Sequence, residues 1–298
     1  VPAFKPFKEK LRLETEADGT VNQLNCPKLL ISADNHFLLK GDVSLQDLSH
    51  PQDAYIFGNL SNLYADPDGI AFFVRNLSKD YKGVPPALQH LGTISFRGEI
   101  SGYFTDLVTY GEVRTDIGTV KTDVKFSSDK EKGYFSYSGA VKTAEFELGK
   151  LLANDKFGKV TFNMDVKGSH YAKRYPSVTM KGLVASIDYS DYTYENITLD
   201  GEYKQGGFNG NVSFDDENGA IQLNGSINTA GKIPTFNFRA DVDHFRPNTL
   251  HLTPKYKDTE ISVKIKADFT GSSINDMNGE INIDSLQYTA PDQSFFMD

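Results

Sequence analysis

Val160-Thr161-Phe162-Asn163-Met164-Asp165-Val166-Lys167 alternates apolar and polar residues over eight positions. Successive side chains of a strand point to opposite faces. Val160, Phe162, Met164 and Val166 therefore share one face, and Thr161, Asn163, Asp165 and Lys167 the other. The same period returns at Ile94–Ile100, Phe208–Phe214, Ile221–Ile227, Phe236–Val242 and Val263–Phe269. Each segment has one apolar face and one charged or amide face, which predicts a half-buried, mainly antiparallel sheet. The segments between them carry turn chemistry. Asp215-Asp216-Glu217-Asn218-Gly219 separates two strands, and its Asn-Gly pair favours a tight hairpin. Lys204-Gln205-Gly206-Gly207 and Ser128–Gly133 do the same for their neighbours.

Helical patterns are few and short. Asp66-Pro67 supplies an N-cap and a first-turn proline, followed by Ile70, Phe73, Val74 and Leu77 at helical spacing, which predicts a helix near 67–77. Glu147–Ala153 and Pro247–Leu252 are the other candidates. None is long enough to cover so extensive a sheet. The apolar faces still have to leave water, a gain of about 25 cal/mol per Å². The cover is a second sheet, closure into a barrel, or an apolar ligand. Alternation alone leaves all three open.

The chain has 298 residues, with 31 basic against 40 acidic side chains and a net charge of −9. That argues against a nucleic-acid binder, which needs a basic patch. No stretch approaches the roughly 18 apolar residues of a membrane-spanning helix. The chain opens Val1-Pro2-Ala3 and closes at Phe295-Phe296-Met297-Asp298, in what reads as a strand, so we expect a fragment of a longer protein. No nucleophile, phosphate-loop or dinucleotide motif is present. His36, His50, His90, His170, His244 and His251 are scattered, with no zinc spacing. Asp66-Pro-Asp68-Gly69 and Asp215-Asp216-Glu217 fall short of a calcium loop and read as cap and turn. Cys26, the single cysteine, reads as a small buried side chain. The expectation is a non-enzyme with no catalytic set, no metal and no cofactor.

The strands also repeat loosely. Gly92-Thr-Ile94-Ser-Phe96-Arg-Gly98-Glu-Ile100-Ser-Gly102 matches Gly158-Lys-Val160-Thr-Phe162-Asn-Met164-Asp-Val166-Lys-Gly168, and Val263-Lys-Ile265-Lys-Ala267-Asp-Phe269-Thr-Gly271 is a third copy. Spacing between copies is uneven, as in a sheet that grows by addition rather than a strict solenoid. Residues 1–90 read as mixed strands and 91–298 as the loosely repeated region, the whole forming one elongated piece.

Several segments resemble the AsmA/TamB superfamily. They are Phe146-Glu-Leu148-Gly149-Lys-Leu151-Leu152 followed by Phe157-Gly158-Lys-Val160-Thr-Phe162, then Tyr192-Thr-Tyr194-Glu-Asn196-Ile197-Thr-Leu199-Asp200-Gly201, Phe208-Asn-Gly210, and Asp241-Val242-Asp243-His244-Phe245-Arg-Pro-Asn-Thr-Leu250. From about residue 60 onward the chain is similar to the middle region of TamB-type translocation and assembly module proteins. The resemblance implies an all-β, elongated, curved, mainly antiparallel sheet that forms a half-open, taco-like groove with a few short helices. It implies a periplasmic location in a Gram-negative bacterium, with the full-length protein anchored in the inner membrane. It implies lipid transport between membranes or outer-membrane protein assembly with a barrel partner, whose contacts fall on no residue recognisable here. Phe96, Ile100, Val160, Phe162, Met164, Val166, Val212, Phe214, Leu223, Ile227, Phe236, Phe238, Val263, Ile265 and Phe269 then become the candidate lining for phospholipid acyl chains. The competing expectations are a glycan-binding or adhesive β-protein, suggested by 21 Phe and 15 Tyr, and a structural spacer without cargo.

Overall fold

The structure, a computed structural model, describes residues 10–50, 53–71, 84, 86–129, 133–171, 177–272 and 276–297. Its eighteen strands belong to one antiparallel open sheet. The chain divides into two compact units, residues 1–130 with 137–155, and residues 131–136 with 156–298. The first unit holds β1 (Leu11–Glu14), β2 (Asp18–Thr20), β3 (Gln23–Ala33), β4 (Phe37–Gln46), β5 (Tyr55–Ala65), β6 (Ile94–Tyr103), β7 (Asp106–Thr115), β8 (Gly118–Asp129) and most of β9 (Tyr134–Glu147). The second holds β10 (Phe157–Tyr171), β11 (Ser177–Tyr189), β12 (Tyr192–Lys204), β13 (Gly207–Asp216), β14 (Gly219–Asn228), β15 (Thr235–Phe245), β16 (Glu260–Thr270), β17 (Asn278–Ala290) and β18 (Gln293–Met297).

Pairing follows chain order. β3 takes both β1 and β2, and then each strand from β3 to β8 pairs with the next. In the second unit the same meander runs from β10 to β18. Short hairpins connect most neighbours. Tyr189 pairs with Tyr192 across Ser190 and Asp191, both at positive φ (50° and 64°), the geometry that matches the twist of a two-residue hairpin. At the Asn-Gly site the two loop residues are Glu217 and Asn218, because Asp216 pairs with Gly219. The Asp216 carboxylate accepts the Asn218 backbone N–H at 3.0 Å and holds the turn. Gly219 is needed for space instead: a Cβ there would lie 2.8 Å from the Phe245 ring and 3.3 Å from Leu250.

Three connections are long: 66–93, 148–156 and 246–259. They carry the helical turns of the described residues, at 67–71, Pro86–His90 and Leu148–Leu152. Asp66 caps the first as its sequence suggests, its Oδ1 accepting the Gly69 backbone N–H at 2.8 Å while its carbonyl accepts from Ile70. The expected continuation of this helix to 77 lies outside the described residues. The repeated sequence copies now gain a structural meaning. They are β6, β10 and β16, the three strands that begin after the long connections. Three strands lie between the first pair of copies and five between the second, which explains the uneven spacing.

The first unit buries one apolar face tightly. Cys26, Leu29, Val43, Leu60 and Phe96 form its core, with Leu39, Ile56, Leu63, Ile100 and Val113 packed against them. Cys26 is a free, buried thiol in that core.

Candidate functional site: the apolar sheet face

In the second unit the registers sort the candidate residues onto one face. Directly paired residues in adjacent strands share a face, so each register can be followed laterally from β10 to β17. One row reads Phe162, Val184, Ile197, Phe214, Ile221, Val242, Val263, Leu286. The next is Met164, Gly182, Leu199, Val212, Leu223, Ala240, Ile265, Ile283. The third is Val166, Met180, Gly201, Gly210, Gly225, Phe238, Ala267, Ile281, and the fourth is Gly168, Val178, Tyr203, Phe208, Ile227, Phe236, Phe269, Gly279. No charged or amide side chain interrupts these four rows. At strand spacings of about 4.8 Å and two-residue rises of about 6.7 Å, they span roughly 34 by 20 Å.

Val160 sits one row beyond Phe162 on the same face and is buried. Every candidate from Val160 to Phe269 in this unit therefore lies on one surface. Phe96 and Ile100 belong to the core of the first unit. Sequence reading missed the contribution of β11 and β12: Val178, Met180, Val184, Ile197 and Leu199 complete the rows. Val178-x-Met180-x-Gly182-x-Val184 carries the same period of two that marked the other strands. In β12 the period is masked by Asn196 at positive φ, whose side chain reaches the Asp215 carbonyl at 3.3 Å.

Burial on this face is graded. Val160, Phe214, Ala240 and Ala267 are buried, while Phe162, Met164, Val212, Leu223, Phe236, Phe238, Val263 and Ile265 are half-buried. The aromatic rings gain contact within the face itself. Phe236 and Phe269, directly opposite, stack at 4.7 Å with 18° between planes. The Phe208 ring lies over Gly201 of the neighbouring strand, where a Cβ would come within 2.6 Å of its tip. The opposite face is hydrophilic, with Lys181 bonded to Asp200 at 2.7 Å, Lys264 near Asp241 at 3.3 Å, and Asn224 bonded to Asn211 at 2.5 Å. A depression of about 520 Å³ on that polar side is lined by Gln222, Asp241, Ser262, Lys264, Ser285 and Phe296 among others.

The face is closed at one flank by the connection 246–259. Leu250 is fully buried, and its carbonyl accepts the Tyr194 hydroxyl at 2.6 Å. Arg246 grips Glu260 at 2.9 and 3.1 Å, and the His251 ring bonds the Ser190 carbonyl at 3.0 Å. Beneath this strap Tyr192 donates to Asp216 at 2.5 Å, and Asn218 donates to the Tyr192 oxygen at 3.1 Å. Burial, then the bond to Asp216, pushes the Tyr192 hydroxyl up to about 12. Tyr192 and Tyr194 begin β12 and form this closure.

The histidines do not converge. His36 bonds Asp66 at 2.7 Å, His50 bonds Asp47, His90 bonds the Leu151 carbonyl, and His244 reaches the Asp216 carbonyl. Burial works against the Asp66 charge, but the Gly69 N–H and His36 outweigh it and hold the carboxyl below its usual range. Among the described residues no three His, Cys, Asp or Glu side chains gather as a metal site, and no helix is long and apolar enough to cross a membrane. Comparison with protein-family models, with curated proteins and with solved structures finds no match.

Proposed function

We propose that the apolar face of the second unit holds phospholipid acyl chains, as part of a non-catalytic periplasmic protein that moves lipid between the inner and outer membranes or assists outer-membrane protein assembly. The observation that carries this reading is the set of four uninterrupted apolar rows, half-buried and with no second sheet or helix layer among the described residues of that unit. The resemblance of Phe146–Phe162, Tyr192–Gly201 and Asp241–Leu250 to the AsmA/TamB superfamily supports it. Acyl chains need continuous apolar width and no fixed polar geometry, and these rows offer that. Curling of the sheet into a half-open groove, anchorage in the inner membrane and docking on a barrel partner are part of the same proposal.

The test is a charge placed on the face. Phe238→Asp and Val263→Asp put a carboxylate where water has access, so each variant keeps its fold and loses lipid photo-cross-linking. In a sealed core an unpaired carboxylate costs several kcal/mol. Unfolding of both variants would place these residues in a closed interior and remove the basis of the reading.

A glycan-binding reading has one specific observation in its favour. On the other face of the first unit, Tyr110 is 63% exposed directly between Glu99 and Asp123, and Phe57 and the edge-to-face pair Tyr55–Tyr103 lie on the same surface. Under that reading, tyrosine fluorescence responds to added oligosaccharide and the response disappears in Tyr110→Ala. A flat titration of the unsubstituted protein rules it out.

A further inference from the structure

The outer face of the first unit breaks the alternation of its strands. Positions that alternate with the core residues Ile56, Leu60, Phe96 and Ile100 carry polar side chains as a rule. Here they do not. From β5 to β8 one row reads Tyr55, Tyr103, Asp106, Ser127. The next reads Phe57, Ser101, Val108, Lys125, and the third Asn59, Glu99, Tyr110, Asp123. Ser101 is therefore ringed by large apolar side chains. Phe57 and Val108 lie directly across from it, Tyr103 two residues along β6, and Tyr110 on the diagonal. Phe57, Val108, Tyr103 and Tyr110 are 45%, 37%, 49% and 63% exposed. Tyr103 is also held edge-to-face by Tyr55 at 5.3 Å.

Polar groups are set among these side chains. Glu99 and Asp123 stand on either side of Tyr110, and neither has a hydrogen-bond or ion-pair partner among the described residues. Net charge does not select the occupant. Arg114 engages Glu112 at 2.7 Å, and Lys125 engages Asp106 at 2.9 Å. On the same rows of β4 to β8, Asp42, Glu99 and Asp123 are matched by Lys40, Arg97 and Lys121. A polyanion or a polycation therefore finds no net field of opposite sign. A protein partner fits poorly too. An ordinary interface takes roughly 20–30 residues a side, and its core is depleted of charge. Here the apolar positions are few, and carboxylates alternate with them. A sugar fits both features. The C–H face of its ring lies on an aromatic side chain, and its edge donates to carboxylates, which only accept.

We infer that this surface binds an uncharged glycan built from 2-acetamido sugars. This rests on the glycan reading above and names its sugar. It is independent of the acyl-chain reading, which concerns the second unit. Tyr110 is the stacking platform, with Glu99 and Asp123 as acceptors on its two sides. An acetamido group joins the two chemistries that this surface offers. Its N–H donates to a carboxylate, and its methyl packs against Val108 and Phe57. A hydroxyl at the same carbon supplies the donor without the methyl. An ammonium supplies donors and charge, again without the methyl.

The test is calorimetric titration of the whole chain with three tetrasaccharides of identical linkage: cellotetraose, chitotetraose and the fully deacetylated form of chitotetraose. The expected result is tightest binding of chitotetraose. Cellotetraose binds roughly fourfold or more weakly, the loss for one methyl-sized apolar contact, and the deacetylated form no better than cellotetraose. Tyr110→Ala, at an exposed position, abolishes binding. Glu99→Gln with Asp123→Asn lowers the chitotetraose affinity by roughly tenfold, the loss of a charge-assisted hydrogen bond. Both variants keep the unfolding midpoint of the unsubstituted chain. Equal affinity for cellotetraose and chitotetraose, or tightest binding of the deacetylated form, overturns the acetamido assignment and leaves the glycan reading in place. Chitotetraose binding that survives Tyr110→Ala unchanged puts the sugar elsewhere and overturns the site. No binding of any of the three overturns both the inference and the glycan reading.

Discussion

At the scale of single residues, the sheet depends on positions where only one side chain fits. Gly225 has φ of +142°, and a Cβ there would meet the Asn237 carbonyl oxygen at 2.2 Å and the Phe238 Cα at 2.5 Å. Two penalties combine, a backbone conformation that L-residues avoid and a collision with the neighbouring strand's backbone. Gly225→Val is therefore expected to cost about 2 kcal/mol or more, read from denaturant unfolding. Gly225 could be read in the sequence as a glycine interrupting an alternating strand. Its lateral alignment with Gly201 and Gly210 could not, because register belongs to partner strands. Tyr192 gives a second prediction, with a sign that follows from its raised hydroxyl. The protonated phenol is the form that the fold prefers, owing to burial and the Asp216 bond. Its contribution is fully present below the ordinary tyrosine value of about 10 and is lost as pH rises toward about 12. A tyrosinate absorbance titration should show a late-titrating group that Tyr192→Phe removes, with stability falling less steeply in that pH window in the variant. An unchanged titration curve for Tyr192→Phe would contradict the assignment.

At the scale of elements, what could be read from the sequence was whatever is encoded locally. Period-two alternation placed the strands of β6, β10, β13, β14, β15 and β16, and the Asp66-Pro67 pair placed a helix start whose capping bonds are formed. The Ser190-Asp191 hairpin escaped because it adopts positive φ without glycine or asparagine. The 246–259 connection read as a single possible turn. Its role as a strap depends on Tyr194, Ser190 and Glu260, which come from other strands. Leu250 is the pin of that strap. Leu250→Ala removes a fully buried side chain and is expected to cost about 2–4 kcal/mol, the range for a leucine that leaves a cavity. Hydrogen exchange should rise first in β12 near Tyr192–Tyr194 and in the start of β16. Uniform exchange across the unit would mean that the strap is not a local closure.

At the scale of the whole molecule, the class of fold was legible and the occupant of the apolar face was not. Alternation states that a face is apolar but not what meets it, since a second sheet, a closed barrel and a ligand leave the same pattern in one strand. The single open sheet narrows that choice, because among the described residues of the second unit no opposing layer faces its four rows. Exposing so much apolar surface to water is unfavourable at about 25 cal/mol per Å². Monomeric proteins rarely leave a contiguous patch of this extent without a partner. The central claim is that the partner is acyl lipid. Its most direct test is mass spectrometry of the lipid extracted from the purified protein, with Phe238→Asp purified in parallel. The account predicts phospholipid in stoichiometric amount with the unsubstituted chain and a marked loss in the folded variant. Protein that is free of lipid, or that carries the same lipid load in both forms, would contradict it.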